Sequence, residues 1–406
     1  MTEIVLGSAL LTAIVLILTL AVMGARRALM PSRAVAITIN GRENIAARTG
    51  DRLLSALSNG GVLIPSACAG AGTCGLCRVT VTGGGAAALP TEASRLTRAE
   101  LRAGLRLACQ VTLRDDIAVN LPDDLIGAES LTCTVHSARF LTPFIRELVL
   151  QLPDGPRPAL PAGSFFQITA PPYRMAFADL DVPAGHARAW GPVRPLSASS
   201  AKQEARAYSI SNRIEDSEAG RLVFNIRLAL PPPHLSDVPP GIVSSYLFGV
   251  RPGDALEVSG PFGSFRARDS DREMVFIGGG VGMAPLRAII LDQLERVGTA
   301  RRISFWYGAR NRGEIFYAEE FDALAAAHPN FRWTVALSDP RPDDNWSRAT
   351  GFIHRVVEDR FLNAHPAPET CEYYLCGPPL MIKAVLASLA DAGIDDGDIF
   401  NDDFGA

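Results

Sequence analysis

The 406-residue sequence has no excess of positive charge, few histidines and few cysteines. Its 39 lysines and arginines are outnumbered by 43 acidic residues, which gives a formal net charge of −4. Nucleic-acid-binding domains usually carry a basic surface, so this balance argues against a nucleic-acid partner. The six histidines are scattered, which argues against a metal site built from imidazoles. Seven cysteines are few for this length and odd in number, which favours a reducing compartment over a secreted disulfide scaffold.

The sequence also lacks internal repeats and low-complexity tracts. Hydrophobic residues make up 48% of the chain and charged residues 20%, as in a globular protein. The length exceeds what one ordinary hydrophobic core requires, so we expect about two to four domains.

The first segment differs from the rest because it carries no charge. Ile4–Met23 contains 20 residues without an ionisable side chain, enough for a helix to cross the ~30 Å hydrocarbon layer. Arg26, Arg27 and Arg33 follow it, so the positive-inside rule predicts that everything after this helix lies in the cytoplasm. A cleaved signal peptide is the alternative, but it would need a basic leader and a shorter apolar core. One helix without ionisable groups cannot by itself form an ion path.

The remaining chain divides into three segments by its pattern of strands and turns. The first begins with the alternating run VAITIN, an Asn40-Gly41 turn signal and a predicted helix over Arg52–Ser58. The second consists of short strands separated by turns, which predicts an antiparallel barrel or sandwich. In the third, strands alternate with helices, which predicts a parallel sheet whose ligands bind at the carboxyl ends of the strands. We therefore expect an anchor, a linker and three domains at 1–25, 26–33, 34–127, 130–267 and 268–406.

An irregular stretch between Pro171 and Arg206 is rich in proline and alanine and contains Trp190. It predicts a mobile surface loop, with a surface that docks a partner protein as the alternative.

The cysteines of the first segment form the strongest motif. In CAGAGTCGLC, Cys68, Cys74 and Cys77 are spaced C-x5-C-x2-C, and Cys109 follows on a strand-like run. Four thiolates and small intervening residues fit a [2Fe–2S] cluster, because backbone N–H groups can approach the sulfurs closely. Structural zinc is an alternative, although it more often uses two separated C-x2-C pairs, and unrelated cysteines are another. Cys133 and Cys371 have no such neighbours in sequence and are interpreted as buried thiols without a cofactor role.

This segment resembles a plant-type ferredoxin fused to a flavin reductase of the ferredoxin–NADP⁺ reductase superfamily. The extra residue in the first spacing departs from the chloroplast ferredoxin pattern and is similar to that of membrane-anchored bacterial reductases.

RAYSISN is similar to the R-x-Y-S motif of that superfamily. The resemblance implies that Arg206 binds the FAD pyrophosphate, that Tyr208 stacks on the isoalloxazine and that Ser209 hydrogen-bonds near its reactive nitrogen. Guanidinium and phenol groups suit these roles, although a plain strand is the alternative for so short a pattern. Arg227, in FNIRLA, is a second candidate cation for FAD or simply a surface arginine.

PPGIVSSYLF places Gly241, Ser244 and Ser245 at the start of a predicted short helix. Free N–H groups at a helix N-terminus bind anions. Its place after the R-x-Y-S motif, as in the superfamily that the chain resembles, implies that the anion here is the FAD diphosphate. The alternative is an ordinary capped helix.

FIGGGVGMAP follows an apolar strand and opens a helix. It is not a G-x-G-x-x-G fingerprint but resembles the glycine loop of the reductase superfamily. The resemblance implies that Gly279, Gly280, Gly282 and Met283 bind NADH. Val281 stands where alanine is usual in that family.

LCGPPLM resembles the C-G-P-P element of the same superfamily, at a strand end before a helix. Cys376, Gly377 and Pro378 would then lie at the nicotinamide, with Cys376, Tyr208 and Ser209 around the hydride-transfer site. A helix that begins with proline after a buried cysteine is the alternative. Phe404, near the end of the sequence, is expected to cover the flavin, or else to fill the last part of the core.

Anchor, ferredoxin, FAD and NAD domains in this order resemble one family over essentially the whole chain, the F subunit of the Na⁺-translocating NADH:quinone oxidoreductases. The resemblance implies a transmembrane helix, an α+β (β-grasp-like) ferredoxin domain, an antiparallel β-barrel and an α/β parallel-sheet domain. It also implies FAD and [2Fe–2S] as cofactors, NADH as substrate, membrane subunits and quinone as electron acceptors, and the inner membrane as location. A soluble reductase that feeds an oxygenase is the main alternative, and a non-catalytic zinc or redox-sensing adaptor is another.

Overall fold

The computed structural model describes residues 7, 10–21, 33–66, 68, 70–122, 125, 128–232 and 238–402. They form two compact units. The first contains the described residues up to Ile64 and those from Gly70 to Pro122. The second contains Pro65, Ser66, Cys68 and the described residues from 125 onward.

Residues 10–21 near the N-terminus are helical and exposed. The predicted anchor, Ile4–Met23, extends past this segment at both ends into residues outside the described part. Within the described part of the chain, no helix combines the length and the apolar character that crossing a membrane requires. The transmembrane helix therefore stays a prediction.

A five-stranded mixed sheet with the order β2-β1-β5-β3-β4 forms the first unit. Asn40 and Gly41 connect β1 to β2 in the left-handed region, with φ of 49° and 68°, as the turn signal predicted. The helix Leu53–Asn59 buries Leu53, Ala56 and Leu57. Two short helices, Pro90–Ala93 and Arg98–Arg102, follow β3. The strands are β1 (Ala34–Ile39), β2 (Glu43–Arg48), β3 (Arg78–Gly83), β4 (Leu105–Leu107) and β5 (Ile117–Asn120).

An antiparallel sheet with the order β11-β8-β13-β6-β7-β12 begins the second unit. Its edge strands meet at a single bridge between Ile210 and Phe224, so the predicted barrel is present but incompletely closed. Inward side chains such as Phe166 and Phe224 are fully buried in its core. The strands are β6 (Glu129–Thr142), β7 (Ile145–Gln151), β8 (Phe165–Ala170), β9 (Tyr173–Ala176), β10 (Ser197–Ser200), β11 (Glu204–Ser209), β12 (Arg221–Arg227) and β13 (Ala255–Phe262). The helices Ile214–Glu218 and Ile242–Gly249 complete the barrel domain.

The stretch between Pro171 and Arg206 is folded, so the expected mobile loop is wrong for its residues. β9 and β10 pair antiparallel, and the one-turn helix Ala187–Trp190 lies between them. Trp190 is fully buried in the barrel core, and its indole Nε1 donates to Pro143 O at 2.7 Å. The composition suggested an irregular loop because it does not reveal the contacts of Trp190 with residues distant in sequence, which stabilise this stretch.

The last part is the predicted parallel sheet, with the order β17-β16-β15-β14-β18-β19 and parallel pairing throughout. Apolar clusters cover both of its faces. The strands are β14 (Met274–Gly279), β15 (Ile303–Ala309), β16 (Phe331–Leu337), β17 (Ala349–Thr350), β18 (Glu372–Cys376) and β19 (Ile399–Asp402). The helices are Met283–Leu291, Ala318–Ala327, Ile353–Val357 and Pro379–Asp391. The first and third continue as π-helical turns, Asp292–Arg296 and Glu358–Leu362.

Candidate functional site

A cavity of about 1070 Å³ lies at the carboxyl ends of the parallel strands. Gly279 ends β14, Gly308 lies near the end of β15, Ser338 follows β16 and Pro378 follows β18, so the ends of four strands contribute to the lining. The opposite wall comes from the barrel, through the turn between β6 and β7 and through Arg227 at the end of β12. This is where a parallel α/β sheet binds its ligands.

The folded stretch between Pro171 and Arg206 also reaches the cavity. Gly185, Arg188 and Ala189 line it, beside the fully buried Trp190 that fixes their helix to the core. No motif in the sequence indicated this contribution, because contacts with residues distant in sequence, such as that of the buried indole with Pro143, position this stretch.

The four predicted residues of the glycine loop have different surroundings. Gly279 and Gly280 line the cavity, and Gly280 has φ +56°, which a residue with a side chain rarely adopts. Gly282 is buried, and a Cβ there would lie 2.0 Å from Cys376 O. Met283 is fully buried in the core of the sheet. The first two can therefore approach a ligand, whereas Gly282 and Met283 pack the helix against β18.

The C-G-P-P element contributes to the cavity mainly through residues after the cysteine. Cys376 is fully buried in the core, and a Cβ on Gly377 would lie 2.5 Å from Met381 Cε. Pro378 and Met381 line the cavity. The predicted nicotinamide contacts of Cys376 and Gly377 stay predictions.

Two exposed apolar side chains mark the rim of the cavity. Phe352 is 67% exposed and Leu380 83%, although both belong to the cavity lining. The Phe352 ring stacks on His354 with centroids 5.9 Å apart. Burial lowers the pKa of His354 and the neighbouring Arg355 lowers it further, which favours the neutral imidazole. Sequence reasoning did not predict this pair; the available signal was the run TGFIH, which begins at the last residue of β17.

Charged side chains line the cavity beyond β15 and β16. Arg310 Nε lies 3.4 Å from Glu314 Oε1, and both line the cavity with Asp343 and Arg341. A carboxylate therefore compensates the charge of Arg310.

The R-x-Y-S residues lie on β11, as expected. Arg206 donates to Ala205 O at 2.7 Å and is ion-paired with Glu204 at 3.4 Å, yet its side chain is 38% exposed. Tyr208 packs half-buried against the barrel core, and this burial raises the pKa of its hydroxyl. Ser209 Oγ donates to Asp402 Oδ2 at 3.0 Å and so connects β11 to β19. The partner of Ser209 lies 193 residues away and could not be read from the motif.

The predicted helix start also forms, with Gly241 preceding Ile242–Gly249 and no side chain capping the first turn. Ser244 Oγ donates to Gly241 O at 3.1 Å and accepts from Ala229 N at 3.2 Å. Ser245 is fully buried. Tyr173 donates to Ile242 O at 2.5 Å. Phe404 lies outside the described residues.

A polar network connects the barrel to the parallel-sheet domain beside this region. Tyr317 OH donates to Glu147 Oε2 at 2.5 Å and accepts from Asn225 Nδ2 at 2.8 Å. Arg287 stacks 4.4 Å from the Tyr317 ring centroid and pairs with Glu320 through two hydrogen bonds. Burial raises the pKa of the Tyr317 hydroxyl, so it remains a donor at neutral pH. The network holds barrel strands β7 and β12 against two helices of the parallel-sheet domain.

Three of the four predicted cluster ligands belong to the first unit. Cys74 is half-buried, whereas Cys77 and Cys109 are buried. The Cys77 thiol donates to Cys109 Sγ, which lowers the pKa of Cys109 to about 6 and raises that of Cys77. Gly72 N–H also donates to Cys109 Sγ. Cys68 is half-buried and belongs to the short stretch counted with the second unit.

The two cysteines without a predicted role are both buried, as expected. Cys133 lies in the barrel core and Cys371 under the parallel sheet. Burial raises the pKa of each thiol to about 11.

The sequence matches three family descriptions in chain order. They are a 2Fe-2S iron-sulfur cluster binding domain over residues 37–114, an oxidoreductase FAD-binding domain over 193–267 and an oxidoreductase NAD-binding domain over 276–387.

Full-length relatives share almost half of the sequence. The F subunit of the Na(+)-translocating NADH-quinone reductase of Yersinia pseudotuberculosis serotype I is 48% identical over 407 residues. The protein of the same name in Neisseria meningitidis serogroup C is 47% identical over 405 residues. Each match covers 99% of this chain and 100% of the relative.

Solved structures with the same fold include reductases of oxygenase systems. The Amycolatopsis cytochrome P450 reductase GcoB is 27% identical with a TM-score of 0.63, over 91% of this chain and 98% of that one. The ferredoxin reductase in carbazole 1,9a-dioxygenase is 23% identical with a TM-score of 0.58, over 92% and 99%. The second likeness concerns the fold alone.

Proposed function

Because the chain belongs to the family of the F subunits of the Na⁺-translocating NADH-quinone reductases, we propose that it is the NADH-oxidising subunit of such a complex. It takes a hydride from NADH and delivers single electrons through FAD and a [2Fe–2S] cluster toward quinone. The three matched domains, which bind a 2Fe-2S cluster, FAD and NAD, confirm the predicted cofactors and the predicted substrate NADH. The predicted function agrees with the names of the full-length relatives.

The observation that carries this function is the cavity between the barrel and the parallel strand ends. It brings Gly279 and Gly280 of the sheet together with Arg227 of the barrel. Its size of about 1070 Å³ suits a ligand as large as a dinucleotide. A hydride can pass from a nicotinamide to a flavin only if the two domains present their ligands to one another.

The cavity lining fits NADH by charge and shape. Gly279 and Gly280 let the pyrophosphate approach the backbone, and Arg188 supplies positive charge. Arg227, expected from the sequence to be a cation for FAD, lines the same cavity and adds positive charge there. The exposed ring of Phe352 offers an apolar face for the adenine. The carboxylate of Glu314 compensates Arg310, which favours NADH over a nucleotide with a 2′-phosphate.

The barrel residues fit FAD. Arg206 keeps an exposed guanidinium for phosphate, and the helix that begins after Gly241 has no side-chain cap in its first turn. Tyr208 provides a flat, half-buried ring next to Ser209. FAD, when bound, supplies the change from two-electron to one-electron chemistry. Ser209 contributes a hydroxyl at the end of β11, and the hydrogen bond from its Oγ to Asp402 Oδ2, at 3.0 Å, orients that hydroxyl.

The cysteine loop fits a [2Fe–2S] cluster held by Cys68, Cys74, Cys77 and Cys109. Cys109 Sγ accepts hydrogen bonds from the Cys77 thiol, Gly72 N–H and Gln110 Nε2, which suits a sulfur that carries negative charge as a cluster ligand. The small residues of the loop leave backbone N–H groups near the sulfur, as Gly72 shows. When bound, the cluster supplies one-electron transfer.

The location and the immediate electron acceptors belong to the same proposal. The uncharged run Ile4–Met23 anchors the chain in the inner membrane, with the cofactor domains in the cytoplasm. Integral-membrane subunits of the complex take the electrons from the cluster and pass them to quinone. In this proposal the ferredoxin-like domain spans 34–127, the FAD-binding domain 130–267 and the NADH-binding domain 268–406.

The first test of the function measures which cofactors the variant Cys109→Ala retains. The purified full-length variant is expected to lose the iron–sulfur absorbance while its FAD content and NADH-driven flavin reduction remain. Cys133→Ala is the matched control, because Cys133 is equally buried but lies in the barrel core. A variant that retains the cluster would contradict the assigned ligand, and a colourless wild-type chain would contradict the function.

The second test separates this function from that of an oxygenase reductase. Purification from membranes is expected to yield the chain with integral-membrane flavoprotein subunits, and turnover is expected to be faster with NADH than with NADPH. A soluble chain isolated with an oxygenase, or a faster rate with NADPH, would contradict the proposal.

A further inference from the structure

The amide of Gln110 lies directly against the predicted cluster ligand Cys109. Gln110 is 8% exposed, and its Nε2 is 3.4 Å from Cys109 Sγ and 2.9 Å from Gly70 O. Its Oε1 accepts from Thr91 Oγ1 at 3.0 Å. All four groups belong to the first unit.

The orientation of this amide is fixed by its partners. Gly70 O can only accept a hydrogen bond, so the NH₂ group must point toward Gly70 and Cys109. The Thr91 hydroxyl occupies the oxygen end of the amide. Cys109 Sγ therefore faces an N–H donor and not a lone pair.

The surrounding backbone is shaped to admit this side chain. A Cβ on Gly72 would lie 2.8 Å from both Cδ and Nε2 of Gln110, so a larger residue would displace the amide. Arg52 Nη1 donates to Gln110 O at 3.0 Å and holds the backbone of the residue. Glycine is thus needed at position 72 to let Gln110 reach the sulfur.

We infer that Gln110 is a positioning residue that raises the reduction potential of the [2Fe–2S] centre through Cys109. This inference rests on the proposed function. Reduction adds one electron to the centre, which NADH supplies through FAD at two electrons per molecule. No bond of Gln110 or Cys109 is made or broken. The added negative charge spreads onto the sulfurs, so an N–H donor stabilises the reduced state more than the oxidised one.

The test compares midpoint potentials in the purified full-length protein. The centre is titrated with dithionite and mediators and followed by electron paramagnetic resonance in the wild type, Gln110→Leu and Gln110→Glu. Both variants lack the N–H donor, so at the wild-type midpoint the ratio of reduced to oxidised centre should fall about threefold or more, since hydrogen bonds to charged groups are strong. Gln110→Glu should show the larger effect because it adds a negative charge. The Fe–S(Cys) stretch in resonance Raman spectra should change in both.

Asn44→Ala is the matched control, since Asn44 is an amide of the same unit that bonds Thr38 and no cysteine. Thr91→Val keeps the Gln110 amide but removes the hydroxyl that orients it, and should shift the potential in the same direction by less. Wild-type potentials in both Gln110 variants would overturn the inference. If those variants fail to assemble the centre, a wild-type potential in Thr91→Val would overturn it. Absence of the centre from the wild type would instead refute the proposed function.

Discussion

Among the charged side chains that the structure describes in the cysteine-bearing unit, Glu92 is the most completely buried, and its removal should unfold that unit selectively. Its side chain is fully buried, and that of Arg106 is 9% exposed. Arg106 donates through Nε to Oε1 at 2.8 Å and through Nη2 to Oε2 at 2.7 Å. The backbone N–H groups of Leu107 and Leu89 donate to the same carboxylate at 3.0 and 2.8 Å.

Glu92→Gln keeps the size of the side chain but replaces one acceptor oxygen with a donor. One N–H of Arg106 and one backbone N–H then face an NH₂ group, and the buried guanidinium loses its counter-charge. Breaking a buried ion pair from one side costs about 3–5 kcal/mol. Loss of two charge-assisted hydrogen bonds, at about 1.5–3 kcal/mol each, gives a similar range.

The assay is urea unfolding of the full-length protein, followed by the visible circular dichroism of the iron–sulfur centre. With a urea dependence of about 1–3 kcal/mol per molar, the midpoint for loss of this signal should fall by at least about 1 M. Asp115→Asn is the control, because the Arg33–Asp115 pair of the same unit is exposed by 62% and 70%. Exposed pairs contribute about 0–1 kcal/mol. A shift in Glu92→Gln no larger than in Asp115→Asn would refute the reasoning.

The pH dependence of this effect has a defined sign. Burial alone would raise the pKa of Glu92, but the hydrogen bonds from Arg106, Leu89 and Leu107 and the charge of Arg106 lower it below its ordinary value. Between the lowered pKa of Glu92 in the folded protein and its ordinary pKa in the unfolded chain, the unfolded chain binds more protons, so stability rises with pH. The stabilisation is complete above the ordinary glutamate pKa and is lost as pH falls through the folded value. The difference between wild type and Glu92→Gln should therefore shrink in acid.

Three further predictions concern the nucleotide cavity and its supports. Gly282→Ala should lower the melting temperature of the parallel-sheet domain, because overpacking against Cys376 O costs about 1–3 kcal/mol. Gly280→Ala should weaken NADH binding in titrations and, because Gly280 has φ +56°, should also lower the melting temperature, but by less than Gly282→Ala. An equal drop in both variants would contradict this. Phe352→Ala should raise KM for NADH about 2- to 12-fold by loss of ring contact. The melting temperature of Phe352→Ala should not change. Val297→Ala, which shortens another exposed apolar side chain, is the control. Tyr317→Phe should cost about 1–3 kcal/mol because Glu147 Oε2 and Asn225 Nδ2 lose their hydrogen bonds to the Tyr317 hydroxyl, and it should slow flavin reduction in stopped-flow measurements. An unchanged rate would show that the network does not position the domains.

Local patterns in the sequence predicted the elements whose causes are local. The Asn40-Gly41 turn forms because only residues that tolerate positive φ can close that hairpin. The alternation of apolar strands with helices predicted the parallel sheet, and with it the edge at which the cavity lies.

The features that could not be predicted depend on contacts between distant residues. Trp190 gives a defined structure to a stretch of loop-like composition because its indole enters the barrel core. Ser209 finds Asp402 across 193 residues. The glycine loop shows the same limit, since Gly280 and Gly282 match one motif for different reasons. Gly280 lines the cavity with positive φ, whereas Gly282 avoids a clash with Cys376 O.

The cysteine loop is stabilised by polar contacts because it has little apolar surface to bury. Between Gly70 and Cys77 the one large apolar side chain is Leu76. Glu92 and Arg106 join the helix Pro90–Ala93, which follows the loop, to β4, the strand that leads to Cys109. Gln110, after the end of that strand, reaches back to Gly70. The same side chains therefore hold the loop and determine the electrostatic surroundings of the sulfurs. Substitutions that loosen this loop should change the reduction potential of the centre as well as its stability, in contrast to the apolar sheet behind the nucleotide cavity, where packing and binding can be altered separately.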